Sequence, residues 1–143
     1  MKRMLLTLIG FGVALTLGAD EGIVEYGGAR LKYEISGDHA VITGYESPLP
    51  KDLSIPESVT HDGTAYPVKG IGSNCFFEDF NWDIVEVTSV KLNRGLEFID
   101  QEAFKNVGRD MPEIEFPSSL TNVASDAFRW TRLGCEDAFV YAD

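Results

Sequence analysis

Three stretches of the chain repeat the same order of apolar and polar positions and align without gaps: Val68 to Phe76, Leu96 to Phe104 and Leu120 to Phe128. Each has an aliphatic residue, another three positions on, a small residue four after that, and then Phe. Upstream of each lies a second shared piece: Leu53-Ser54-Ile55-Pro56, Val90-Lys91-Leu92-Asn93 and Ile114-Glu115-Phe116-Pro117. Its alternation predicts a short strand with one buried face. Pro or Asn then stops the strand, since both residues fit poorly into a continuing ladder.

Phe104 and Phe128 are 24 residues apart, as are Leu92 and Phe116. The first unit is longer, with 37 residues from Ile55 to Leu92, and the surplus falls in two connections. A coil of this length cannot close a core alone, but stacked coils bring equivalent side chains into continuous ladders. The register predicts four ladders: Leu53, Val90 and Ile114; Ile55, Leu92 and Phe116; Ile71, Ile99 and Val123; and Phe76, Phe104 and Phe128.

The flanks read differently. Strands are predicted over Ile23 to Tyr26, Ala29 to Ile35 and Ala40 to Thr43, joined by turns at Gly27-Gly28 and at Ser36 to His39, which makes an N-terminal β-meander cap over residues 20–48. The insertion in the first unit reads as a further hairpin turning at Asp62-Gly63 between Val59 and Tyr66. Residues 49–143 then form the repeat stack, with Trp130, Leu133, Phe139 and Val140 available to cover its last coil. Asp137-Ala138-Phe139 echoes the motif but follows its predecessor by 11 residues, too few for a full coil.

Taken together, Ser54-Ile55-Pro56-Glu57-Ser58-Val59, then Asp62-Gly63-Thr64-Ala65-Tyr66-Pro67-Val68, then Ile71-Gly72 and the recurring Ala-Phe resemble the BspA-type leucine-rich repeats of surface proteins. The resemblance covers roughly residues 31–128 and has two departures: Asn93 stands where Pro is usual, and the Cys that often follows Ala-Phe is absent. It implies a leucine-rich-repeat solenoid, β-rich with short helical or 3-10 segments, of about three coils. It also implies adhesion to proteins or cells, and it brings no catalytic motif to transfer.

The N-terminus adds a route. Lys2 and Arg3 precede an apolar run from Leu5 to Ala19, and acidic residues begin at Asp20, so residues 1–19 read as a signal peptide. The run is shorter than the roughly 20 residues a spanning helix needs, so no membrane insertion is expected after cleavage. A secreted or cell-surface location follows. The whole chain carries a formal charge of −11, and the segment after residue 19 loses two cations and no acids. That balance disfavours nucleic acid and anionic membrane as partners, because both reward clustered cations.

Candidate chemistry changes the picture little. No nucleophile-elbow, zinc-protease or phosphate-loop motif occurs. His39 and His61, the two histidines, fall in predicted turns, where solvent contact is expected. No cofactor is implied, and no Asp-rich loop supports a calcium site. Cys75 takes the place of Ala103 and Ala127, facing the core of the first coil, whereas Cys135 lies beyond the third. Two coils at about 4.8 Å each exceed the roughly 7 Å that separates bridged Cα atoms at most. A buried free thiol at Cys75 and an exposed one at Cys135 are therefore expected.

The candidate contacts for an extracellular or surface protein are the polar strand positions between the buried ones. They form two columns, Asp52, Ser89 and Glu113, then Ser54, Lys91 and Glu115. No aromatic residue stands in either. Three strands of three residues, at about 4.8 Å spacing and 3.4 Å rise, offer a face of order 150 Å². A standard interface takes about 800 Å² per partner, so this face alone predicts weak binding that multivalency would strengthen. The rival readings are a carboxylate-dependent hydrolase of extracellular polymer and a structural repeat fragment without a partner. The sequence leaves oligomeric state open.

Overall fold

A computed structural model describes residues 20–77, 87–107, 114–129 and 131, together with the strand backbone of 6–9, 12–16 and 139–141. β1 (Leu6–Ile9) pairs antiparallel with β2 (Gly12–Thr16), and β2 pairs antiparallel with β3 (Glu21–Tyr26), so part of the segment read from the sequence as a signal peptide lies as two strands at the edge of the sheet, outside the predicted cap. β4 (Ala29–Ser36) and β5 (His39–Glu46) complete the predicted meander. Gly27 and Gly28 both have positive φ, 56° and 82°, the backbone that a two-residue hairpin needs and that glycine adopts at no steric cost. Along β4 the alternation works as read: Ala29, Leu31 and Tyr33 are buried while Arg30, Lys32 and Glu34 are exposed.

The meander does more than end the fold. β5 runs parallel to the second half of β8 (Thr64–Ile71), with Ile42 opposite Ile71. The first half of β8 pairs antiparallel with β7 (Ser58–His61), and Asp62 and Gly63 turn the hairpin with φ of 48° and 81°. β10 (Phe98–Ile99) and β12 (Asn122–Val123) continue the parallel column, so Ile42, Ile71, Ile99 and Val123 form one row. The predicted aromatic row is present and one residue longer: Tyr45, Phe76, Phe104 and Phe128 stack at centroid distances of 5.9, 5.1 and 5.1 Å. Tyr45 escaped the motif because it lies three residues after Ile42, not five.

The segments carrying these rings are turns, and no helix occurs among the described residues, contrary to the expected short helical or 3-10 pieces. The reason is an alternation of backbone donors. Cys75 and Phe77 donate to Gly72 O and Asn74 O within their own unit, whereas Asn74 and Phe76 donate to Gln101 O and Ala103 O in the next. Ala103 and Lys105 likewise bond locally while Phe104 and Asn106 reach Ala127 O and Arg129 O. Every second N–H is spent on the neighbouring unit, so consecutive i→i−3 bonds cannot accumulate into a helix.

A second strand column closes the other side of the core. β6 (Asp52–Ser54) pairs parallel with β9 (Ser89–Lys91), and β11 (Ile114–Phe116) lies beside β9. β13 (Phe139–Tyr141) pairs parallel with β11, Phe139 opposite Ile114. Phe139 and Val140 therefore lie on a strand added beyond β11, 25 residues after Ile114; Trp130 and Leu133 fall outside the described residues. Leu53, Ile55 and Phe116 are 0%, 3% and 1% exposed, as the ladders require. Asn93 has its own function in place of Pro: its buried Nδ2 donates to Val68 O in the other column at 2.8 Å.

Candidate partner-binding face

The face is made by side chains that the strands cannot bury. In β6 and β9, Leu53 and Val90 point inward opposite each other, which sends Asp52, Ser54, Ser89 and Lys91 outward. The register places Asp52 beside Ser89 and Ser54 beside Lys91, so the two predicted columns exist across these strands. Ser89 Oγ donates to Asp52 Oδ1 at 2.6 Å, and Lys51 O accepts from the backbone of Thr88 and Ser89, which fixes the upper edge of the face. Glu115 is exposed between the buried Ile114 and Phe116 of β11. Glu113 lies outside the described residues.

Tertiary packing alters this face at one corner. The β3–β4 turn stands against β6: a β-carbon on Gly27 would be 3.5 Å from Ser54 Cβ, and one on Gly28 would be 3.8 Å from Pro50 Cβ. Ser54 is half-buried as a result, while Asp52, Ser89, Lys91 and Glu115 stay exposed. The same turn carries Tyr26, which at 44% is the exposed large hydrophobic residue among the described ones. An open depression lined by Glu25, Tyr26 and Arg30 accompanies it. The sequence columns held no aromatic, and only the approach of the Gly27 turn to Ser54 brings one alongside.

Arg30 bridges two acids on the outer side of the meander, from Nε to Glu46 Oε2 at 2.7 Å and from Nη1 to Glu25 Oε1. Its pKa is raised, first by the hydrogen bond to Glu46. Such exposed pairs tie the rim together but stabilise little.

The histidines divide. His39 is partly exposed at its turn, with Nδ1 3.0 Å from Asp38 Oδ1, a bond that together with Lys69 lowers the Asp38 pKa. His61 contradicts the expectation of solvent contact: it is 5% exposed, its Nδ1 lies 3.1 Å from Tyr33 Oη, and the two rings meet edge to face at 5.8 Å. The β7–β8 hairpin folds back onto the meander and carries His61 inward, a long-range contact invisible to turn chemistry. Cys75 is a free thiol, 2% exposed, and burial raises its pKa well above the usual value. Cys135 lies outside the described residues. Among the described residues, no three His, Cys, Asp or Glu side chains converge as a metal site would require.

Parallel strand columns, stacked aromatic rows and a strand face of outward polar residues are features of the leucine-rich-repeat class, and two solved structures that this chain is similar to are leucine-rich proteins. One is a leucine-rich cell surface protein from Faecalibacterium prausnitzii A2-165, 26% identical over 76% of this chain, with a TM-score of 0.61. Another is a leucine-rich repeat protein from Bacteroides ovatus, 23% identical over 78% of this chain, with a TM-score of 0.54. The chain spans 28% and 27% of the length of these two proteins. No family model matches the chain, and no curated protein matches it.

Proposed function

We propose that this chain is a cell-surface or secreted protein-interaction module of the BspA-like type, exported by residues 1–19 and acting by adhesion without catalysis. In this reading residues 49–143 stack as about three coils behind a meander cap. The observation that carries it is the outward row of Asp52, Ser89, Lys91 and Glu115 on strands whose other face is fully committed to the core, with exposed Tyr26 beside it. Similarity to a leucine-rich cell surface protein supports the location.

Physical chemistry sets the strength. The columns are small against a standard interface, and their charges are solvated, so they give specificity and encounter rate more than affinity. Tyr26 adds an aromatic contact of the kind that dominates interface energetics. Single copies bind weakly in this reading, and several on one surface bind usefully through avidity.

The test compares monomeric and artificially multimerised protein on immobilised matrix proteins and on cells. Binding of the multimer should fall on the order of tenfold or more when Asp52, Ser89, Lys91 and Glu115 become Ala together, and again with Tyr26→Ala. Binding that survives all five substitutions would place the site elsewhere. Absence of binding in either form would remove the adhesive reading.

A further inference from the structure

The two-residue turn of the β7–β8 hairpin holds the one Asp-Gly pair in the chain, and no Asn-Gly pair occurs. The pairing matters chemically. An aspartyl carboxyl lies within reach of the next backbone nitrogen, and where that residue is glycine no side chain blocks closure of a five-membered cyclic imide. The residues that follow the other aspartates all carry side chains. Asp62 is therefore set apart by sequence before its surroundings are considered.

The fold leaves this pair open. Strand pairing ends at His61 opposite Thr64, so Asp62 and Gly63 lie outside the ladder. The Asp62 side chain is 51% exposed, and a β-carbon on Gly63 would meet nothing within 4 Å, whereas the turn at Gly27 is packed against Ser54. Asp62 also has a φ of 48°, a left-handed backbone that costs a residue with a side chain more than it costs glycine. Beside it stands an imidazole: His61 Nε2 is 3.7 Å from Asp62 Oδ2, close enough after a small side-chain rotation to pass a proton to a departing oxygen.

We propose that Asp62 is a self-modification site, isomerising to isoaspartate through a cyclic imide with Gly63. Gly63 N bonds to Asp62 Cγ and a Cγ–O bond breaks; the oxygen leaves as water, taking the carboxyl proton and the amide proton. Water then adds back to one of the two imide carbonyls. Addition at Cγ restores aspartate. Addition at the backbone carbonyl carbon routes the main chain through Cβ and Cγ and leaves the former backbone carbonyl as a carboxylate. Water is the only other reactant. The main chain gains one carbon in a turn whose two residues match the twist of the strands, and the carboxylate leaves its place beside His61. His61 in turn meets Tyr33 Oη at 3.1 Å, so the change reaches the contact by which the hairpin packs on the meander.

Incubation of the folded full chain for weeks in heavy-oxygen water tests this, followed by tryptic mapping with fragmentation that locates the label. The peptide of residues 52–69 contains both Asp52, which Leu53 follows, and Asp62, so it carries its own control. Heavy oxygen at residue 62 should exceed that at residue 52 by about tenfold or more, together with an isoaspartate form of the peptide. Asp62→Glu, whose imide needs a six-membered ring, and Gly63→Asn, which keeps the left-handed backbone but adds a side chain, should each lower the labelling by about tenfold. The isoaspartate form of the whole chain, separated by ion exchange, should unfold at a lower temperature than the parent. Equal labelling at the two aspartates, or labelling at residue 62 only when urea unfolds the chain, overturns the proposal. An isomer that unfolds with the parent overturns the link from the turn to Tyr33.

Discussion

The ring of Phe98 lies over Gly70 in the adjacent strand, so closely that a β-carbon on Gly70 would fall 1.9 Å from Phe98 Cζ. The two residues are register partners, and the glycine makes a shelf on the outer side of the sheet for the aromatic ring. Phe98 is only partly buried, so the ring can be pushed outward, at the cost of its contact with the strand.

Gly70→Ala should therefore destabilise the fold by about 1–3 kcal/mol through overpacking. The same substitution in a Phe98→Ala background should cost little, because the clash has gone. A double-mutant cycle by denaturant unfolding measures the coupling, and additive effects would show that the shelf does not matter.

Phe104 is stacked between Phe76 and Phe128, with ring centroids 5.1 Å away on either side. Phe104→Ala opens a cavity in the middle of the row, with a loss of about 3–5 kcal/mol expected. Phe104→Leu should recover part of this. A loss below about 1 kcal/mol in thermal or urea unfolding would mean that the stack collapses around the gap.

Two buried groups make the fold sensitive to alkali. Burial raises the Cys75 pKa well above 9.0, and burial followed by the negative charge of Asp62 raises that of Tyr33 above 10.0. The folded chain keeps protons that the unfolded chain releases, so stability is fully present below about pH 9 and falls as pH rises past the two unfolded values toward the folded ones. Cys75→Ala, which installs the residue found at 103 and 127, should remove the part of the decline that begins near 9. Tyr33→Phe should remove the part that begins near 10 and also lose the hydroxyl contact with His61. Urea midpoints that do not move with pH in the parent chain would contradict the assignment.

Asn93 tests whether its departure from the repeat pattern matters. Its Nδ2 joins the two strand columns through Val68 O, and its Oδ1 has no hydrogen-bond partner among the described residues. Asn93→Ala should cost about 1–3 kcal/mol by removing a buried donor. Asn93→Pro restores the residue present at 56 and 117 but not the bond, and should be no more stable than the alanine variant.

The sequence by itself determined the repeat register, because each buried position is set by a period-two strand or by a ring that must meet its counterpart one unit away. Ile71, Ile99 and Val123 share a row, Phe76, Phe104 and Phe128 share another, and Asp52 pairs with Ser89, all readable from spacing. Turn chemistry placed Gly27-Gly28 and Asp62-Gly63, whose positive φ angles few other residues tolerate. What only the tertiary structure decided involves contacts without a local signature. Tyr45 joined the aromatic row at an unfamiliar spacing, and His61 was carried from an apparent turn into the core. Tyr26 came beside the strand face through the turn at Gly27. The Ala-Phe segments remained turns because their donors serve the neighbouring unit, a choice made between repeats and not within one. Periodicity reports which residues are buried along one element, while the meeting of elements far apart in the chain depends on the path of the whole backbone.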